Sequence, residues 1–287
     1  MNDTATPRFD LSVVVVNYNG RAWLEGLLPD LERYVKQSRF QVEVVVVDNA
    51  STDDSLAWLE TQTGLRLIRS NVNGGFAYGN NLAIKTINSR YICLLNSDTN
   101  VPDSLDLLVE YLDVEPTVGV VTPRIITTAG SLDKACHRGE PTPWASLTYL
   151  TGLERLFPRS RWFGRYHQGW SDLSTIHTID ACTGAAMMVR KAAIDQVGLL
   201  DEQFFMYGED LDWCRRFREA GFNLIYHPGV TVVHHKYKSG LNGASADTRQ
   251  ATKAWFYKAM LLYYDKHSRS KRGLFRVLLG LYVKLKG

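Results

Sequence analysis

The sequence is short of the devices that mark several protein classes. Its 287 residues hold four cysteines, Cys93, Cys136, Cys182 and Cys214, and no two of them form a CxxC pair. That spacing indicates neither a disulfide framework nor a zinc knuckle, and it suits a reducing cytosol. No segment reaches the roughly 18 uninterrupted apolar residues that a spanning helix needs. The opening MNDTATPRFD also lacks a basic and then apolar targeting region. A cytoplasmic location is therefore expected. Charge of one sign is missing too: 33 Lys and Arg against 30 Asp and Glu leave a net +3, too mild and too mixed for a nucleic-acid binder. Neither GxGxxG nor GxxxxGKS/T occurs, so there is no dinucleotide fingerprint and no P-loop. Internal repeats and low-complexity segments are likewise absent.

What is present is a core-forming pattern. With 45% hydrophobic residues the chain can bury one large α/β domain plus an appendage. LSVVVVNYN (11–19), FQVEVVVVDN (40–49) and RYICLLNSD (90–98) are near-continuous apolar runs that end in polar residues. Such runs read as strands covered on both faces, as in a parallel sheet. Helix-like stretches follow them at 21–36, 53–61 and 79–88, and a short strand is expected at 65–70. A helix over 104–114 and a strand over 118–126 continue the alternation, which predicts a doubly wound, mostly parallel sheet flanked by helices. In such sheets ligands bind beyond the carboxyl ends of the strands, so the polar residues ending these runs share one rim. Residues 127–178 are rich in Pro, Gly, Trp and Arg and read as a long irregular segment, a feature usually tied to function. Order returns with TIDACTGAAMMVRK, a helix at EDLDWCRRFREAG and a strand at FNLIYHPGVTVVHH. The domain is expected over 1–245, with halves at about 10–125 and 126–245. A basic helical appendage is expected over 246–287.

Four polar stretches carry candidate chemistry. Asp48 ends the second strand: it either caps the following turn or accepts a hydrogen bond from a nucleobase imide. SNVNGGFAYGNN (70–81) has glycines that permit close backbone approach before a helix. In NSDTN, Asp98 at a strand end suits a hard divalent cation that also takes water and phosphate oxygens, with an Asx-turn cap as the alternative. In FFMYGEDLDWCRR, Glu209, Asp210 and Asp212 open a helix, where acidic residues are favoured by its dipole. One of them would serve as a general base if it reached the rim. His234 and His235 end a strand, and their alternation puts at most one of them in the site.

Together SVVVVNYNG, VVVVDNASTD, NVNGGFAYGNN, LLNSDTNV, CTGAAMMVRK, GLLDEQFFMYGEDLDWCRR and VTVVHH resemble, in order, the inverting family 2 glycosyltransferases of the Rossmann-like GT-A fold. The resemblance runs from about residue 11 to 240. NYNG, DNASTD, NGGFAYGNN and FFMYGEDLDWC are similar to the rhamnosyltransferase-like branch, which builds bacterial surface polysaccharides and cell-wall linkers. The resemblance implies that Asn17, Asn19, Asp48, Asn49, Ser51, Asn73, Gly75, Phe76, Asn80, Asn81, Asn96, Ser97 and Asp98 bind the nucleotide-sugar donor. Asp210 would be the catalytic base, supported by Glu209. Asp180, Thr183 and Gly184 would shape the acceptor side. Asp98 and His234, with His235 as the alternative to the latter, would hold Mg2+ or Mn2+. The family's DXD motif reads Asn96-Ser97-Asp98 here, so its first Asp is absent. The implied donor is dTDP-L-rhamnose, and the implied acceptor is a glycan or lipid-linked glycan.

The tail interleaves aromatic and basic residues (RQATKAWFYKAMLLYYDKH) and ends in LFRVLLGLYVKLKG. It reads either as helices packed on the domain or as a peripheral contact with the cytoplasmic face of the inner membrane. Other classes compete with the transferase reading: a family 2 enzyme using a UDP-sugar, a sugar nucleotidyltransferase, and a silent nucleotide-sugar-binding module. A nucleotidyltransferase would offer a basic, Gly-rich loop near the first strand, where NYNGRAWL has only Arg21. Trp144, Trp162 and Trp170 stand in the irregular segment as candidates for stacking on sugars or for the core.

Overall fold

The computed structural model describes residues 7–235, 246–268 and 273–286. Most of the expected elements of the first half form where the apolar runs stand. They are β1 (Phe9–Asn17), α1 (Arg21–Gln37), β2 (Val42–Asp48), α2 (Ser55–Leu59), β3 (Arg66–Arg69), α3 (Gly75–Ile84), β4 (Ser89–Asn96), β5 (Thr99–Asn100), α4 (Asp106–Val114) and β6 (Val118–Thr127). Residues 127–178 are less irregular than expected. A single 3-10 turn at Lys134–Cys136 is followed by α5 (Pro143–Leu150), α6 (Leu153–Leu156) and β7 (His177–Thr178). Next come β8 (Ala186–Arg190), α7 (Lys191–Val197), α8 (Glu209–Glu219) and β9 (Asn223–His234). The chain ends in α9 (Ala246–His267) and α10 (Leu274–Lys286). The expected domain boundary at 245 and the first six residues lie outside the described residues.

The sheet runs β3-β2-β1-β4-β8-β6-β9-β5, with β7 beside β9. β1 is parallel to β2 and β4, and β6 to β9, while β8 is antiparallel to both β4 and β6. The one reversed central strand brings the loop before β8 to the same edge as the carboxyl ends of β1, β2, β4, β6 and β9. That edge is the rim. Val13, Val14 and Val15 of β1, Val45, Val46 and Val47 of β2, and Ile92 and Leu94 of β4 are sealed from solvent, as their unbroken apolar runs require. Leu24, Leu27, Leu31 and Tyr34, spaced by three and four, form the stripe of α1 that covers the sheet.

The boundary that departs furthest from the sequence pattern is the start of α3. α3 starts at Gly75, four residues before the first apolar-periodic position, because Asn73 Oδ1 accepts the Gly75 amide at 3.1 Å and opens the helix early. At the other end, α9 is tied down by Asp212 of α8, which is sealed from solvent and receives Arg216 (2.8 Å), Lys266 (2.8 Å) and His267 (2.7 Å). Asp212, the third carboxylate of the acidic motif, is thus an anchor for the appendage. Its cations outweigh burial and hold its carboxyl down at about 2.

Candidate active site

At the ends of β1 and β2 the rim is a turn built by register. Asn17 and Asp48 are register neighbours, so their side chains leave the sheet on one face. Asn17 Nδ2 donates to Asp48 Oδ1 at 3.2 Å and to Ser51 Oγ at 3.1 Å. The other Asp48 oxygen accepts the Ser51 amide at 3.0 Å, which is the turn-capping role. Asn19, left-handed at φ 53°, accepts the amides of Thr52 and Asp53 on its side-chain oxygen. Asn49 Nδ2 donates to Asn73 Oδ1 (3.0 Å) and to Gly75 O (3.1 Å), tying this turn to the loop before α3.

Asn80 and Asn81 do not line a pocket. Because α3 begins at Gly75, both fall on its buried face and are 1% exposed. Asn80 donates to Phe76 O, while Asn81 exchanges hydrogen bonds with the Leu200 backbone at 2.9 and 3.1 Å. Their amides pack the helix. The glycine of the same loop has a clearer task. Gly75 sits at φ 87°, and a Cβ there would lie 2.0 Å from Phe205 O, while the Phe76 ring fills the space a Cβ on Gly184 would take. The loop before α3 is therefore clasped between the loops before β8 and α8. Thr183 Oγ1 accepts the Ala185 amide at 3.3 Å, and Asp180 accepts the Glu140 amide at 3.0 Å.

At the carboxyl end of β4, Asn96 and Ser97 are half-buried and Asp98 is 3% exposed. His234 at the end of β9 points its Nε2 at Asp98 Oδ1, 3.4 Å away, and its Nδ1 at Asp133 Oδ2, 3.0 Å away. His235 turns to the opposite face, where Nε2 meets Asn100 Oδ1 at 2.5 Å and the ring lies against Trp23. His234 is the histidine of the site. Burial would lower its pKa, but the Asp133 and Asp98 carboxylates outweigh that and raise it to about 9. The donor set suits a divalent cation. Two ligands at about 2.2 Å from one ion, at right angles, stand about 3.1 Å apart, close to the observed Asp98–His234 gap. A carboxylate on the far nitrogen is the usual support of a metal-binding imidazole. Among the described residues no third His, Cys, Asp or Glu joins the pair as a ligand group, so water and phosphate oxygens would complete the shell.

The second carboxylate group opens α8. Tyr207 (φ 70°) and Gly208 (φ 83°) are both left-handed, which turns the chain sharply into Glu209 and Asp210. Tyr207, Asn19 and Ala50 are three of the four non-glycine residues at positive φ among the described residues, and all flank the rim. Asp210 Oδ2 receives Arg138 Nη2 at 2.7 Å, and the same nitrogen donates to Cys182 O at 2.7 Å. Burial opposes the Arg138 charge, yet Asp210 keeps its pKa above the ordinary guanidinium value. Glu209 is buried, and one of its oxygens has no hydrogen-bond partner among the described residues. Burial, and then the Asp210 charge beside it, push its carboxyl up to about 8.

Sequence reasoning missed Asp133 and Arg138. Both follow β6, a parallel strand whose carboxyl end lies on the rim. A carboxylate and an arginine just past such a strand were the available signal.

A mostly parallel α/β sheet with a carboxylate–imidazole pair at its strand ends and a second carboxylate group at the start of α8 is the build of a GT-A glycosyltransferase. Residues 12–197 match the model of glycosyl transferase family 2, and the chain belongs to that family. The matched residues stop short of α8. N-acetylglucosaminyl-diphospho-decaprenol L-rhamnosyltransferase of Mycobacterium tuberculosis is 27% identical over 272 residues, 90% of this chain and 85% of that protein. Rhamnosyltransferase WbbL of Escherichia coli is 23% identical, covering 85% of this chain and 90% of its own. Among solved structures, the mannosyltransferase PcManGT of Pyrobaculum calidifontis, in complex with GDP-Man and Mn2+, superposes with a TM-score of 0.59 at 20% identity. That superposition covers 99% of this chain and 72% of that one, and it shows the shared fold.

Proposed function

We propose that this enzyme transfers L-rhamnose, with inversion, from dTDP-β-L-rhamnose to a hydroxyl of a lipid-linked glycan in bacterial cell-surface polysaccharide or cell-wall synthesis. The observation that carries the reading is the meeting of Asp98 and His234 from two distant strands, with the imidazole oriented by Asp133. The names of the Mycobacterium tuberculosis and Escherichia coli relatives support rhamnose as the sugar. The first of those names also supports a lipid diphosphate acceptor.

Asp98 and His234 would hold Mg2+ or Mn2+, and the chemistry such an ion supplies is neutralisation of charge on the departing nucleoside diphosphate. Asp48, steadied from inside by the Asn17 amide, would meet the base edge, with the turn at Asn19, Asn49 and Ser51 and the loop at Asn73, Gly75 and Phe76 fixing the nucleoside. Asp210 would take the proton of the acceptor hydroxyl as it attacks the anomeric carbon from the face opposite the diphosphate. Arg138 holds that carboxylate in one orientation. Glu209, kept neutral up to about pH 8 by burial, would donate to the acceptor rather than compete for its proton. A β-linked donor then gives an α-linked product.

α10 bears on where the acceptor is met. Leu274, Val277, Leu278, Leu281 and Leu285, spaced by three and four, are all exposed and form an apolar stripe on α10. Such a stripe supports peripheral docking on a membrane surface. No helix among the described residues is long and apolar enough to cross one. The deciding experiment is titration calorimetry with dTDP-rhamnose and with UDP-sugars, each with manganese, magnesium or chelator. Metal-dependent binding of the thymidine donor alone is expected; preference for a uridine donor would overturn rhamnose and leave the family assignment intact.

A further inference from the structure

α5, α6 and the loop to Arg165 carry a composition that the chemistry above does not use. Within this excursion Leu156 and Trp162 are 71% and 73% exposed, and Trp144, Leu147, Tyr149 and Phe157 are exposed as well. Arg155, Arg159, Arg161 and Arg165 lie among them, all exposed and without an ion-pair partner among the described residues. The one carboxylate of the stretch, Glu154, is buried and bonded to His167 at 3.0 Å. Aromatic rings beside unpaired cations form a surface complementary to anionic lipid headgroups with apolar tissue beneath them. The excursion also adjoins the tail: one apolar cleft is lined by Tyr149 and Leu150 of α5, Phe256 and Met260 of α9, and Phe275 and Leu279 of α10. Tyr207 and Gly208, directly before Glu209 and Asp210, line the same cleft.

We propose that residues 143–165 are a second membrane-contact element, which docks with α10 on a bilayer of anionic phospholipid and sets the Tyr207–Asp210 turn toward it. The inference rests on the reading that the acceptor is carried by a lipid. Docking on two elements fixes orientation as well as attachment, whereas the tail alone would leave the catalytic rim free to rotate.

The test is sedimentation of the full chain with phosphatidylcholine vesicles, with and without phosphatidylglycerol. It compares the parent with Arg155→Gln/Arg159→Gln, with Trp162→Ser and, as a control on α10, with Leu278→Glu/Leu281→Glu. Loss of the two arginine charges is expected to lower partition onto the anionic vesicles roughly 30-fold. Melting curves and donor binding by calorimetry should stay unchanged, since these residues are exposed and lie outside the donor turn. Parent-like sedimentation of both excursion variants, with loss confined to the α10 variant, would overturn the proposal. Binding of the parent to a soluble polyanion but not to vesicles would overturn it too and assign the arginines to another acidic partner. Vesicle binding with the expected losses, but no donor binding, would support the membrane face while removing the rhamnosyltransferase reading.

Discussion

The rim carries two carboxylate groups, and they are neutralised by cations of different kinds. At the strand ends Asp98 faces the imidazole of His234, whose other nitrogen rests on Asp133. At the helix end Asp210 faces the guanidinium of Arg138. An imidazole can lose its proton and give its lone pair to a metal; a guanidinium cannot. The first group can therefore exchange a proton for an ion, and the second can only keep one carboxylate oriented. Both orienting side chains, Asp133 and Arg138, belong to one short stretch after β6. That stretch therefore reaches both carboxylate groups of the rim.

The largest effect should come from Asp210, the carboxylate proposed as the base. Asp210→Asn keeps an acceptor for Arg138 but removes the base, so turnover should fall about 100- to 10,000-fold with donor binding intact. A product assay beside calorimetry checks this, and full turnover would remove Asp210 from the role. Taking away the fixed cation tests the other half of the pair. Arg138→Met leaves the largely buried Asp210 carboxylate without its counter-charge and should cost about 3–5 kcal/mol in a denaturant melt. Combining it with Asp210→Asn should recover part of that loss, because neither charge is then stranded. An additive double variant would mean that the ion pair contributes no coupling.

The strand-end group should respond through metal and not through the fold. Asp133→Asn weakens the support of His234, and affinity for Mn2+ in the presence of nucleoside diphosphate should drop about 10- to 100-fold. Calorimetry measures it directly. An unchanged affinity would show that His234 is oriented without Asp133 and would break the parallel between the two groups.

How much of this was legible in the sequence follows the same division. The runs rich in Val, Ile and Leu announce β1, β2 and β4 because strands buried on both faces are nearly continuous in apolar residues. Asp98 and Asp210 stood out because each ends or begins a regular element. The choice between His234 and His235 needed the partners: strand alternation separates their faces but does not say which face is the site. The expected start of α3 at residue 79 falls four residues late because a side chain, Asn73, opens the helix, and no periodic pattern announces a cap of that kind; the resemblance gives Asn80 and Asn81 to the donor loop, whereas their buried amides bond within the fold. The reversal of β8 also has no local signature, since AAMMVR looks the same in either direction. Asp133 and Arg138 stayed hidden in a segment with no period, where position depends on the parallel strand before it and on a bridge pairing Arg138 with Ala181.

Glu209 offers the smallest effect and a finer reading of the helix-end group. Its carboxyl is raised from 4.5 to about 8 by burial and by Asp210. A group raised in the folded state gives its full contribution to stability below the unfolded value, and that contribution is lost as pH climbs through about 8. Glu209→Gln carries a permanently neutral side chain of the same shape and escapes the loss. The melting temperature of the variant should lie near the parent at low pH and pull ahead of it by several degrees by about pH 9. Thermal melts across that range decide it. A gap that stays flat with pH would mean that the Arg138 charge serves Glu209 as well as Asp210, so that one guanidinium neutralises the whole acidic turn.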